Sequence, residues 1–419
     1  MKVILTICLS PLTPLSTLST FPPLSTFPPF PTLTPLTTLS TLSYLCPVHL
    51  SQLKLTHFKS YESQKFDFSP RLNCLTGLNG VGKTNVLDAV HFLCLCKSHA
   101  GLNDKNLIRH GETFFRLEGR FEASEATTKI VAKYQSGQRK EIERNGNPYE
   151  RLADYIGQYP VVMIAPDDVS LVQEGSEDRR RFLDATLSQI SPDYLHNLLI
   201  YNALIKQRNA LLKLFAEQRR FDGILLESLD RQIPAPARVI FEQRKHFVEA
   251  FEPLFVEYYA AISGSRETVG VRYDSDLAKG DFVALLQQVL EKDRLLQRST
   301  VGPHRDDLAL FMDGQLVKKF ASQGQLKSFL LALRLAQYEV LRSEKKRSPI
   351  LLLDDIFDKL DAQRVRQLIA LLIGRNFGQI FITDTQRDRI ESVIVSFSGD
   401  YKMFEFIGQD GQLRVLTDG

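Results

Sequence analysis

The sequence predicts an α/β fold cut in two by a helical insertion, and three features carry that prediction. A short buried strand, a glycine-rich turn and a helix succeed one another over residues 72–93. Far downstream, an apolar run ends in two acids, Asp354 and Asp355. Between them, over about residues 175–293, the apolar spacing is that of helix.

Residues 1–48 stand apart from that fold. Their only charged side chain is Lys2, and they hold nine of the chain's 19 prolines, with Leu-Ser-Thr-Phe-Pro-Pro written twice over residues 18–29. Proline at this density blocks helix and sheet, so a disordered, polyproline-like tail is expected. A secretory signal is a competing reading, since Lys2 precedes Val-Ile-Leu-Thr-Ile-Cys-Leu, but that apolar stretch is short. A third reading, which we prefer, is that the segment is not made and translation starts near residues 48–50. The body then divides into 49–172, the first α/β half; 173–294, the helical insertion; and 295–419, the second half.

Residues 49–58 alternate in the manner of an edge strand, with 65–68 as hairpin partner. Residues 116–122 and 128–134 extend a β-rich region, Asn145-Gly146 marks a tight turn, and 160–165 read as a buried strand. Within this half, Gly77-Leu78-Asn79-Gly80-Val81-Gly82-Lys83-Thr84 fits G-x-x-x-x-G-K-[ST] between a strand and a helix. Glycines let backbone N–H groups wrap phosphates, and the helix N-terminus adds partial positive charge. Lys83 is placed to reach the β- and γ-phosphates of a bound ATP, and the Thr84 hydroxyl to sit on Mg²⁺. The partner of this loop is the strand that ends in Asp354-Asp355. Asp354 is the candidate Mg²⁺-associated acid, and Asp355 the candidate for polarising an attacking water.

The insertion carries Arg179, Arg180 and Arg181 near its start. They form either a phosphate-backbone contact or a helix face paired with Glu174, Glu177 and Asp178. Later runs are amphipathic and break near Pro234 and Pro236. Heptads are not sustained, which excludes a very long coiled coil. His304 and Arg305 follow a Gly-Pro turn; they face a ligand or stiffen the turn. Residues 308–312 then read as strand, Asp313-Gly314 as turn, and 325–341 as helix. At the head of that helix, Ser322, Gly324 and Gln325 either cap it or offer an anion its free N–H groups.

Taken in order, the phosphate loop, Ser322-Gln323-Gly324-Gln325, Leu-Leu-Leu-Asp354-Asp355 and Asp358-Lys-Leu-Asp361 resemble an ABC-type ATPase head of the SMC kind. More narrowly, residues 73–85, 177–184, 300–307 and 321–325 are similar to the motifs of the RecF family, over roughly residues 50–410. The resemblance implies a head that dimerises on ATP, with Ser322, Gly324 and Gln325 meeting the γ-phosphate held by a second copy. Asp361 would lie at the same seam, and Lys59 would touch the phosphates. It implies binding of single-stranded and duplex DNA, work with RecO and RecR to load recombinase at gaps, and support of the SOS response. Two departures stand out. Heads of this kind carry a histidine after the last core strand, whereas residues 379–385 here have none, so slow, DNA-stimulated hydrolysis is expected. The glutamine loop has no clear counterpart, and residues 165–168 are the place for one.

Composition narrows the alternatives. A net charge of +3 does not advertise a nucleic-acid binder, so any DNA surface must be a local patch. Cys8, Cys46, Cys74, Cys94 and Cys96 make no framework and read as reduced thiols of a cytoplasmic protein. No run of about 20 apolar residues is present to span a membrane. A transporter ATPase subunit is disfavoured by the long separation of the motifs. A P-loop kinase is disfavoured by the Ser322–Gln325 segment, and a structural linker by the missing coiled coil.

Overall fold

The computed structural model describes residues 48–123, 126–264, 267–357, 362–396, 400–407 and 412–416. The proline-rich tail, apart from Val48, and the Asp358 and Asp361 positions therefore lie outside the described residues. Two six-stranded sheets face each other across the phosphate-loop helix Lys83–Leu95. In the central sheet the strands run in the order Gln412–Leu416, Tyr401–Ile407, Leu72–Gly77, Ile380–Asp384, Ile350–Asp354 and Val161–Ile164. All neighbours are parallel except the first pair.

Strand periodicity explains how this sheet is covered on both faces. Ile350 and Leu352 join Leu75 and Phe381 beneath the loop helix and the antiparallel sheet. Leu351 and Leu353 join Leu72 and Cys74 on the opposite face, against Phe329 of the helix Gln323–Lys345 and Phe251 and Phe255 of the helix Pro234–Ser263. Gln379 ties the two sheets together. It accepts from the Leu50 N–H at 2.8 Å and donates to the Leu50 and Ser69 carbonyls, each at 2.8 Å.

The antiparallel sheet corrects one expectation. Val48–Phe58 is not an edge strand, because it pairs with Tyr61–Asp67 on one side and Phe114–Ala123 on the other. Its alternation arises from one buried face, which interior antiparallel strands also show.

The expected helical stretch is also corrected in part. Helices Ser176–Ile190, Pro192–Gln218, Gly223–Asp230 and Pro234–Ser263 fill most of it. Pro234 begins a new helix, where a missing N–H costs nothing. Val269–Asp274, however, is a strand paired with Asp307–Met312. Its Val-Gly-Val-Arg-Tyr alternation is too short to compete with the helical runs around it.

Buried ion pairs tie the helices to one another and to the start of the strand Asp307–Met312. Arg208, fully buried, holds Asp293 at 2.6 Å and Asp230 at 2.7 Å. Arg244 holds Asp184 and Asp306, each at 2.8 Å. Such pairs are costly to break once desolvated. Among the described residues no helix is long and apolar enough to cross a membrane.

Candidate nucleotide site and its second half

Strand Leu72–Gly77 delivers its C-terminal end into an exposed turn and then the N-terminus of helix Lys83–Leu95. Gly82 has φ 107°, and a Cβ there would sit 2.8 Å from the Tyr61 hydroxyl, which donates to the Gly82 carbonyl at 3.1 Å. No side chain fits at that position. The Lys83 ammonium donates to the carbonyls of Gly77 at 2.6 Å and Leu78 at 2.8 Å, so it lies inside the turn it serves. Burial lowers the Lys83 pKa, opposed by the nearby charges of Asp355, Asp354 and Asp384.

Those acids arrive on neighbouring strands. Register places Asp354 opposite Thr383. The hydroxyls of Thr84 and Thr383 both donate to Asp354 Oδ1, at 3.0 Å and 2.7 Å. Thr383 Oγ1 also accepts the Asp355 N–H at 2.9 Å, which holds Asp355 in a left-handed conformation with φ 47°. Burial raises the Asp354 pKa, while hydrogen bonds from Thr383 and Thr84 and the charges of His99 and Lys83 pull it back. Asn79, Gly80, Gly82, Lys83, Thr84, Asn85, Asp354, Asp355 and Thr383 line one open pocket of about 150 Å³.

The donor set suits the groups expected there. A hydroxyl and a carboxylate oxygen side by side are hard ligands of the kind Mg²⁺ takes. A lysine ringed by backbone at a helix N-terminus suits phosphate. Thr383 is the member that sequence reasoning missed. The available signal was that residues 350–354 and 380–384 are both apolar runs that end in an acid, the second with a threonine just before it.

Lys59 does not line the pocket. Its ammonium lies 2.6 Å from Asp88, a buried acid on the loop helix that also accepts from Ser98 and the His99 N–H. In this arrangement Lys59 braces the helix that carries Lys83. The 165–168 segment follows strand Val161–Ile164, beside the acidic strand. There Asp168 takes Arg334 and His99, each at 3.0 Å, and the Arg334 charge with the His99 bond overcomes its burial to hold its pKa far below the usual range.

The 322–325 segment lies at the surface and outside that pocket. Ser322 caps the helix Gln323–Lys345 in a reciprocal box. Its N–H donates to Gln325 Oε1 at 2.8 Å, and its hydroxyl accepts the Gln325 N–H at 3.3 Å. Each half-site carries one large exposed apolar side chain: Phe320, at 69 %, just before this tip, and Leu78, at 65 %, in the phosphate loop.

The arginine cluster resolves into paired groups. Arg179 is buried and bidentate on Asp307 at 2.7 Å and 3.0 Å, so it is not a surface contact for DNA. Arg181 pairs with Glu177 and Asp178, and Arg180 donates to Ser176 Oγ and the Asp306 carbonyl. His304 stiffens its turn: Tyr201 donates to Nδ1 at 2.6 Å, and Nε2 lies 3.1 Å from the Ser299 carbonyl. Burial, with Arg305 and Arg180 nearby, brings its pKa down to about 4.

A phosphate loop, a paired acid strand and a capped helix tip, set in parallel sheet with a second sheet above, define an SMC-type ATPase head. The model of the RecF/RecN/SMC N-terminal domain matches residues 49–402. The chain is 44 % identical over 357 residues to the DNA replication and repair protein RecF of Flavobacterium johnsoniae, covering 85 % of this chain and 99 % of that one. It is 43 % identical over 366 residues to RecF of Porphyromonas gingivalis, covering 87 % and 99 %. A solved structure of the recombination mediator RecF with ATP, of the RecFOR pathway, superposes with TM-score 0.78 at 28 % identity, covering 88 % of this chain and all of that one. The chain belongs to the RecF family of DNA replication and repair proteins.

Proposed function

We propose that this chain is an ATP-dependent DNA-binding protein of recombinational repair that pairs with a second copy when ATP is bound and lets go after slow hydrolysis. The observation that carries the reading is the separation of two half-sites on one chain. Lys83, Thr84, Asp354 and Asp355 share a pocket, whereas Ser322, Gly324 and Gln325 present a helix tip at the surface outside it. A tip so placed is suited to meeting the γ-phosphate held by another molecule. The exposed Leu78 and Phe320 give the two surfaces apolar area to bury.

In this reading Lys83 and the turn N–H groups of residues 77–82 hold the β- and γ-phosphates, and Thr84 with Asp354 would hold Mg²⁺. That ion, when bound, would neutralise phosphate charge. Asp355 would polarise the attacking water, and the lack of a histidine over residues 379–385 supports slow turnover. ATP binding is supported by the ATP-bound relative. Binding of single-stranded and duplex DNA, cooperation with RecO and RecR in recombinase loading, support of the SOS response and a cytoplasmic place are carried over from the RecF family. ATP-driven pairing turns nucleotide binding into adhesion, by mass action.

The test is size-exclusion chromatography with light scattering, with and without Mg²⁺–ATP, on the wild type and on Ser322→Arg. We expect ATP-dependent dimers that Ser322→Arg abolishes while each monomer still binds ATP. A wild type that stays monomeric with saturating ATP would refute the reading.

A further inference from the structure

The two most exposed large apolar side chains among the described residues lie away from the nucleotide site. Ile224 is 84 % exposed and Leu295 83 %. Ile224 belongs to the short helix Gly223–Asp230 and Leu295 to the helix Leu290–Leu296, and both helices pack on Pro192–Gln218. Leu214, Phe221, Leu225 and Leu296, each exposed, come from the same segments.

One anchor holds these helices in place. The buried Arg208 of Pro192–Gln218 bonds Asp230, the last residue of the first short helix, and Asp293 in the second. Phe221 completes the corner: its ring centre lies 5.5 Å from that of Phe215 and 4.1 Å from the Arg294 guanidinium. Lysine or glutamate at 224 and 295 would suit a solvated helix at least as well. The fold therefore holds apolar side chains on an anchored face where solvation does not ask for them. Single exposed apolar residues are ordinary, but a cluster marks a binding surface.

The charges on these segments say what fits. Lys213, Arg219, Arg220, Lys292 and Arg298 are exposed, and no ion pair holds any of them among the described residues. The acids are mostly engaged: Glu227 with Arg231 at 2.7 Å, Glu291 with Arg294 at 2.7 Å, and Asp230 and Asp293 with Arg208. Glu217 is left, with Asp222, which caps Gly223–Asp230, to oppose those cations. A second copy laid face to face here would set cation against cation. A nucleic acid would meet the cations but leave the leucine and isoleucine side chains, which offer no ring for bases to stack on, without a partner. A protein segment with apolar residues flanked by acids satisfies both.

We propose that this face of the helical lobe docks a partner protein through an apolar segment flanked by acidic residues. Ile224 and Leu295 supply the apolar contact, and Arg219 and Arg220 the charge that steers and orients the segment. Neither half-site of the proposed ATP-driven pair contributes a residue here, so docking stands or falls separately from pairing.

The experiment presents the full-length protein, without nucleotide, to a library of short random peptides. Peptides retained by wild type and lost on Ile224→Ser/Leu295→Ser are sequenced, and their affinities are measured by fluorescence anisotropy. Retained peptides should combine Leu, Ile or Phe with Asp or Glu, and should bind the double serine variant roughly tenfold more weakly. Arg219→Glu/Arg220→Glu and rising salt should weaken them as well. Because positions 224 and 295 are solvated, the serine variant should melt with wild type; a lower melting temperature would give these side chains a folding role and overturn the proposal. No retained peptide, or peptides with basic flanks, also overturns it. Nucleotide-free self-association of wild type that the serine variant loses would assign the face to a second copy, and single-stranded oligonucleotide binding that the serine variant loses would assign it to nucleic acid. Either result overturns the proposal.

Discussion

Replacing Thr383 by valine isolates one hydroxyl at the centre of the nucleotide site. The substitution is nearly isosteric, and position 383 is fully buried, so packing is largely preserved. Two bonds are lost: the 2.7 Å donation to Asp354 Oδ1 and the 2.9 Å acceptance from the Asp355 N–H. A hydrogen bond to a charged group contributes about 1.5–3 kcal/mol, and an orphaned buried donor costs about 1–3 kcal/mol. Thr84 still donates to Asp354 at 3.0 Å, which favours the lower end of the first figure. The total is about 3 kcal/mol. Asp355 also loses the contact that holds φ at 47°, a conformation costing about 1–2 kcal/mol for a non-glycine residue. Thr383→Ser keeps the hydroxyl and removes one methyl, at about 1 kcal/mol. Denaturant unfolding of the nucleotide-free protein should therefore rank wild type, serine and valine in falling stability. Mg²⁺-dependent nucleotide affinity should follow the hydroxyl, so serine resembles wild type. If valine unfolds at the same denaturant concentration as serine, the hydroxyl bridge has no energetic role and the reasoning fails.

Asp354→Asn should change the pH dependence of stability. Burial raises the folded pKa of Asp354 above its unfolded value of 3.8, so its contribution is fully present below that value and is lost as pH rises through the folded pKa. In EDTA, the melting temperature of the variant relative to wild type should increase from acid towards neutral pH, while Mg²⁺-dependent nucleotide binding disappears; parallel melting curves across pH would contradict this. Gly157→Ala meets a harder obstacle, since φ is 84° and the new Cβ would lie 2.2 Å from the Gln189 carbonyl oxygen. A loss of about 2–4 kcal/mol is expected from strain and the forced backbone shift, and a variant as stable as wild type to urea would refute the placement of that turn.

Much of the site was legible because phosphate binding demands an ordered local pattern. Residues 77–84 could be read from their strand–loop–helix context, and Asp354 from the apolar run before it. Thr383 was hidden because its role depends on the register of two strands distant in sequence, and threonine at a strand end is ordinary. The Arg179 pairing with Asp307 was hidden for the same reason: charge in sequence says nothing of which acid the fold brings close. Strand 269–274 was obscured by the helical runs around it, although its partner at 307–312 was clear. The edge placement of residues 49–58 went wrong because alternation reports one buried face, and the number of neighbouring strands leaves no mark on it.

The link from Gln379 back to Leu50 spans 329 positions, and the strand Leu72–Gly77 has both its neighbours beyond residue 379. On the ribosome the phosphate-loop strand must therefore wait for almost the entire chain before it has anything to pair with. At about 5–20 residues per second that delay is tens of seconds, during which the early β-region offers its greasy face to whatever is near. A premature stop between the end of the phosphate loop and the strand Ile380–Asp384 would leave the nucleotide loop encoded in full but its strand without either neighbour.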